Sequence, residues 1–267
     1  MTTGYVALLD VLGFSSLIST RDDGSHLDKY LSSIQEALDD TSLGPTVPYV
    51  VFSDSIVLTT NSDSDADLLS MLQRCSRVLG HLLRANIALR GAIAYGSYSR
   101  SDLTSGVFVA GRAILDANNF EHAQDWVGIM LAPSTVKRIP DAATRFVLTG
   151  NDQSGSPEGQ AAIQSRLPWS AFVQPCLQIP FHSKHPFEQN DFSGFAVVPT
   201  DGVAQPQPIF ESLERSIESL NRLRTWAPTP SAQEKYRKCE TWIRPICSTW
   251  REVTYWNKRL KEEGRMS

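Results

Sequence analysis

The chain has 267 residues, 41% apolar and 20% charged, enough for one large domain or one domain with a substantial appendage. Its net charge of −4 argues against a general nucleic-acid binder, which presents a basic face. No segment approaches the ~20 apolar residues of a membrane span, and no basic stretch followed by an apolar run opens the chain. A cytoplasmic protein with neither membrane nor nucleic-acid partner is therefore expected.

Tyr5 to Leu9 is a short all-apolar run of the kind buried on both sides of a sheet. Leu27, Tyr30, Leu31, Ile34 and Leu38 recur at helical spacing and predict an amphipathic helix near residues 26–40. Gly44-Pro45 and Pro48 break the chain. Tyr49–Phe52 and Ile56–Thr60 then read as two strands joined by a tight turn over Ser53-Asp54-Ser55. Leu68, Leu69, Leu72, Cys75, Leu79 and Leu82 mark a second helix. A strand follows over Asn86–Tyr95, where Gly91 and Gly96 permit close backbone approach. A short extended piece at Val107–Ala110, a helix from Arg112 to His122 and a strand at Val127–Leu131 complete this part.

The order of these elements predicts an α+β fold of ferredoxin-like plan. In that plan helices cover one face of a mostly antiparallel sheet and leave the other free for a partner subunit. Residues 140–210 differ. Gly150 to Gly159 is turn-rich, and strand-like pieces at Arg145–Leu148 and Gly194–Val198 suggest an irregular extension. After Pro228-Thr229-Pro230, a run from Ser231 to about Glu263 places Tyr236, Cys239, Trp242, Ile243, Ile246, Trp250, Val253 and Trp256 at helical intervals, with Pro245 expected to kink it. This aromatic stripe reads as a packing face. The chain thus divides into a domain over residues 1–138 and an irregular, then helical, extension over 139–267 that packs on it. Cys75, Cys176, Cys239 and Cys247 show no CxxC pairing and are expected as buried thiols; His182 and His185 are read as a surface pair.

Two aspartates carry the chemistry. Asp10 closes the run Tyr5-Val-Ala-Leu-Leu, and Asp54 sits at the tip of the hairpin Tyr49-Val-Val-Phe-Ser-Asp-Ser-Ile-Val-Leu58. A carboxylate after a buried strand loses solvation unless it gains a hydrogen bond or a cation. Two such groups at one sheet edge make a hard, oxygen-rich site for Mg²⁺ or Mn²⁺ held together with substrate phosphates. Taken alone, either aspartate is equally a turn or cap residue.

With these motifs in place, the chain resembles the class III nucleotidyl cyclase catalytic domain. The likeness runs over roughly residues 4–135 through Asp10-Val-Leu-Gly13-Phe14, Phe52-Ser53-Asp54-Ser55, Leu89-Arg90-Gly-Ala-Ile-Ala-Tyr-Gly96 and Gly111-Arg-Ala-Ile-Leu115-Asp116-Ala117-Asn118-Asn119-Phe-Glu121, in that order. Within the family it is most similar to the stand-alone pyrimidine cyclases of bacterial Pycsar anti-phage systems. The resemblance implies a uridylate cyclase that converts UTP to cyclic UMP and pyrophosphate with two Mn²⁺ or Mg²⁺ ions at a homodimer interface, the product acting on a separate cyclic-nucleotide effector. Four positions depart from purine cyclases. Tyr49-Val50-Val51 stands where they place a lysine, and Leu115 and Asn119 stand where they place the transition-state asparagine and arginine. Phe108 falls near the adenine-binding carboxylate. A cytidylate cyclase making cyclic CMP from CTP, a purine cyclase with a substituted base pocket, and a catalytically silent nucleotide-binding module are the alternatives.

On this reading Asp10 and Asp54 bridge the ions, with the carbonyl of Val11 as a further oxygen ligand. The backbone amides of Leu12, Gly13 and Phe14 hold phosphate oxygens. Arg90 is either a catalytic or nucleotide-binding cation or half of a structural ion pair. Tyr49 is a base-recognition candidate or a core or interface tyrosine, and alternation counts against the first role. Asn119, with Asn118, touches ribose or phosphate or caps its helix. Arg112 is a candidate for positive charge near the triphosphate.

Overall fold

The computed structural model describes residues 1–15, 25–39, 47–104, 106–139, 169–176 and 194–264. The strand read at Arg145–Leu148, the turn-rich Gly150–Gly159 and the pair His182 and His185 lie outside them. The strands are β1 (Thr2–Val11), β2 (Tyr49–Phe52), β3 (Ser55–Thr59), β4 (Leu89–Leu103), β5 (Gly106–Gly111), β6 (Gly128–Leu131), β7 (Val173–Cys176) and β8 (Gly194–Val197). They form one mixed eight-stranded sheet in the order β2-β3-β1-β4-β6-β8-β7, with β5 folded back on the far half of β4. Among these strands only β4 and β6 pair in parallel.

The helices are α1 (Ser25–Leu38), α2 (Asp65–Arg84), α3 (Arg112–Ala123), the short α4 (Pro133–Val136) and α5 (Trp169–Phe172), then α6 (Pro206–Trp226) and α7 (Pro230–Glu262). Alternation along β1 sorts them onto the two faces. Tyr5, Ala7, Leu9 and Val11 join the main core with Tyr30, Ile34 and Leu38 of α1 and with Leu68, Leu72, Cys75 and Leu79 of α2. On the other face Val6 packs with Tyr98 and with Ala113 of α3. α3 runs close by here, with the Ala113 amide 3.4 Å from where a Cβ on Gly96 would stand. The second face is thus partly covered by α3 rather than left open, and β1 needs to be apolar on both sides.

α2 begins where its sequence signals it. Ser64 accepts from the Asp67 amide at 3.1 Å, and Asp65 and Asp67 place negative charge at the positive end of the helix dipole. Beyond residue 139, β8 pairs with β6 and β7 with β8, so these strands widen the same sheet. α6 and α7 lie against each other, and α6 packs on α2. The stripe on α7 is a packing face: Cys239, Ile243, Ile246, Trp250 and Val253 are buried. All four cysteines are buried free thiols. No helix among the described residues is long and apolar enough to cross a membrane.

Candidate active site

Asp10 lies one residue from the end of β1, opposite Ser55 on one side and Arg90 on the other. Paired residues share a face, so Asp10, Ser55, Phe52 and Arg90 form a row across the sheet on the α3 side. Asp54 sits in the two-residue turn between Phe52 and Ser55, where Ser53 adopts the left-handed region at φ 57°. The Val11 amide donates to the Asp54 carbonyl at 3.0 Å. A strand residue's N–H and C=O point to the same side, so the Val11 carbonyl is also directed toward the hairpin tip. The two aspartates are therefore held on one continuous piece of backbone.

The electrostatics fit a cation. Burial first, and then the charges of Glu121 and Asp54, push the Asp10 carboxyl from the ordinary 3.8 up to about 6; Arg90 and His122 act in the opposite direction. A half-buried carboxylate facing two others is an excess of negative charge that a divalent ion offsets. Among the described residues no group of three or more His, Cys, Asp or Glu side chains forms a cation cage. An ion held by Asp10, Asp54 and the Val11 carbonyl would complete its shell with water and phosphate oxygens, as Mg²⁺ sites do.

The other residues singled out from the sequence divide. The Leu12 amide donates to the Ala88 carbonyl at 2.9 Å, so it prolongs the β1–β4 ladder and is not turned toward a phosphate. Gly13 follows at φ +75°, the conformation that turns the chain out of β1, and Phe14 packs edge-on against Tyr30 with centroids 5.3 Å apart. Tyr49 pairs with Leu58, and through it with Ala7, so it lies on the α1–α2 face, opposite to Asp10. There its hydroxyl donates to Asp39 at 2.8 Å. The structure does not bring Tyr49 to the carboxylates. Asn119 is exposed on α3 in line with Arg112, Leu115 and His122, on the stripe that points away from the sheet. Arg112 pairs with Asp116 at 2.9 Å. Arg90 is anchored: its Nε donates to Glu121 at 2.5 Å and its Nη1 to the Gln124 carbonyl at 2.9 Å.

Three residues at the site went unread in the sequence. Tyr30 reaches from α1 to donate to the Ser53 carbonyl at 3.1 Å, which pins the turn that carries Asp54. Burial, then Asp54 and Asp10, push its phenol up to about 12, so it stays a donor. Glu121 is 1% exposed and lies between Arg90 and His122, whose Nδ1 stands 2.6 Å from its second oxygen. Phe52, on the Asp10 face, is 80% exposed. The signal for Glu121 was available: it follows Phe120 and lies four residues after Ala117, on the buried side of an otherwise amphipathic helix.

No protein-family model and no curated protein matches the chain. Similar solved structures exist. The catalytic core of a rhodopsin-guanylyl cyclase with converted specificity, in complex with ATPαS, is 14% identical over 74% of this chain and 95% of that one, at a TM-score of 0.47. The guanylate cyclase domain of RhGC from Catenaria anguillulae, in complex with GTP, is 12% identical over 74% and 96%, at 0.46. The adenylyl cyclase CyaB from P. aeruginosa is 15% identical over 73% and 92%, at 0.43. Each is a partial likeness of backbone course at low identity.

Proposed function

We propose that this protein is a class III-type nucleotidyl cyclase acting on a pyrimidine nucleoside triphosphate, with UTP giving 3′,5′-cyclic UMP and pyrophosphate. One observation carries the reading. Asp10 and Asp54 are joined through the Val11–Asp54 backbone bond, and the Asp10 carboxyl is held near 6 by burial and facing carboxylates. That arrangement suits a hard cation at the end of a strand. The ordered motifs from Asp10 to Glu121 support the family, and the stretch Tyr49-Val50-Val51 and Phe108, in place of the purine cyclases' lysine and base-binding carboxylate, support a base other than a purine.

In the reaction the ribose 3′-oxygen forms a bond to the α-phosphorus as the bond to the β-phosphate bridging oxygen breaks, and the 3′-hydroxyl proton is released. Two Mn²⁺ or Mg²⁺ ions, when bound, lower the pKa of that hydroxyl and offset charge on the leaving pyrophosphate. Asp10, Asp54 and the Val11 carbonyl supply the oxygens that hold them. Tyr30 fixes the turn, so the Asp54 carboxylate is positioned before substrate arrives. Gly13 leaves the end of β1 open, since nothing lies within 4 Å of where its Cβ would stand.

Phe52, Val107 and Leu115 are large apolar side chains exposed on β2, β5 and α3. They support a homodimer in which a second copy covers the α3 side of the sheet. A signalling role in anti-phage defence, with the product read by a separate effector, rests on the family resemblance. Incubating the protein with Mn²⁺ and each of ATP, GTP, CTP and UTP, beside an Asp54→Ala variant, tests the proposal by mass spectrometry. Cyclic UMP made only by the wild type supports it. Cyclic CMP moves the substrate to CTP, and no cyclic product from any nucleotide leaves a silent binding module.

A further inference from the structure

Arg90 is held as few arginines at a charged site are. Glu121 takes its Nε, the Gln124 carbonyl takes its Nη1, and Glu121 is itself almost fully buried. Among the described residues its Nη2 has no hydrogen-bond partner. The Arg90 side chain is 13% exposed and stands on the strand next to Asp10, in register with it and on the same face. The Gln124 anchor is itself braced. Gln124 donates to the Gly91 carbonyl at 2.9 Å and accepts from the Trp126 indole at 2.9 Å, so the guanidinium has little freedom to swing.

We propose that Glu121 is a positioning residue that holds Arg90 as an oriented, charge-balanced donor for a carbonyl oxygen of the nucleotide base. This rests on the nucleotide-binding reading above. A guanidinium that recognises phosphate works through uncompensated charge and a two-pronged donor edge. In Arg90 a buried carboxylate balances the charge, and the edge that includes Nε is taken by Glu121. The negative Glu121 also disfavours a phosphate beside it. The free donors that remain, both N–H groups of Nη2 and one of Nη1, sit beside a balancing carboxylate and fit a neutral acceptor, of the kind the pyrimidine carbonyls O2 and O4 present. In the reading above Asp10 and Asp54 mark the triphosphate end, and Arg90 stands one strand over, in register with Asp10.

The test is calorimetric binding of UTP and of inorganic tripolyphosphate, each with Ca²⁺, to wild type, to Glu121→Gln, and to the double variant Arg90→Met with Glu121→Met. The double variant replaces a buried ion pair by apolar groups of similar size, which is tolerated where removing one partner is not. Both variants should bind UTP about 10-fold more weakly, the order of one hydrogen bond's worth, and tripolyphosphate within about 2-fold of wild type. Parallel losses for both ligands would assign the pair to phosphate and overturn the proposal. Unchanged UTP affinity in a folded double variant would make the pair structural and overturn it as well, as would a wild type that binds UTP no tighter than tripolyphosphate. A wild type that binds UTP more tightly yet forms no cyclic product would sink the cyclase reading while this inference stood.

Discussion

The Val11 amide and the Asp54 carbonyl lie 3.0 Å apart, so the end of β1 and the tip of the β2–β3 hairpin form a single backbone unit. Two carboxylates 44 positions apart in the chain thereby become one site. The unit is braced from outside by Tyr30, which reaches the turn from α1.

Tyr30→Phe removes that brace without changing the packing of the ring on Phe14. It should cost about 1 kcal/mol of stability, the ordinary worth of one hydrogen bond. Turnover should fall further than stability predicts, because the Asp54 turn loses its anchor. Urea unfolding, with midpoint and slope fitted together, measures the first effect, and initial rates measure the second. Unchanged rates would show that the backbone bond from Val11 is sufficient.

Asp10 should make the metal-free protein less stable as pH rises. Its folded pKa of about 6 lies above the ordinary 3.8, so the native state binds more protons than the unfolded chain between these values. Stability from this group is present below about pH 4 and is lost as pH climbs through about 6. Asp10→Asn should flatten that slope and stabilise the metal-free protein at pH 7 by about 1 kcal/mol, after discounting a half-buried group for solvent screening. Thermal unfolding in chelator across pH 4 to 7.5 reads both effects.

Mn²⁺ affinity should follow the same titration in the opposite sense. The ion competes with the proton on Asp10, so affinity is full above about pH 7 and declines as pH falls through about 6, roughly tenfold per pH unit well below it. Binding followed by paramagnetic water relaxation tests this. A flat profile would place the ion away from Asp10.

Gly13 lies at φ +75° with open space where a Cβ would stand. Gly13→Ala therefore meets no clash and should cost only the backbone penalty of the left-handed region, about 1 kcal/mol. Pairing the denaturant midpoint with nucleotide affinity separates this from a role in substrate approach. A loss of affinity beyond the loss of stability would show that the substrate passes over this turn.

Much of the frame was legible because apolar periodicity set it. The run from Tyr5 to Leu9, the α1 and α2 faces and the hairpin around Asp54 all fall where alternation and helical spacing place them. Other parts were hidden for identifiable reasons. α6 was not read, because Ser212, Ser216 and Ser219 occupy buried positions among Ile209, Leu213 and Leu220, and serines blur an apolar stripe. β4 was read only to Tyr95 and runs to Leu103, since most of its residues beyond Gly96 are polar and from Ser99 on it is paired by β5 alone. Tyr49 and Asp54 are close in sequence, yet strand alternation puts Tyr49 on the other face. Glu121 was read only as the end of a motif, and its partner Arg90 is 31 positions away on another element, so the ion pair was not legible.

The most direct test of the central claim is the rate of pyrophosphate release from UTP with Mn²⁺, for wild type and for Asp54→Ala at matched fold and oligomeric state. The account predicts steady release with matching cyclic UMP from the wild type and a fall of at least about 100-fold in the variant, as loss of a metal-bridging carboxylate implies. Equal release from both proteins, or none from either with any nucleotide, would contradict it.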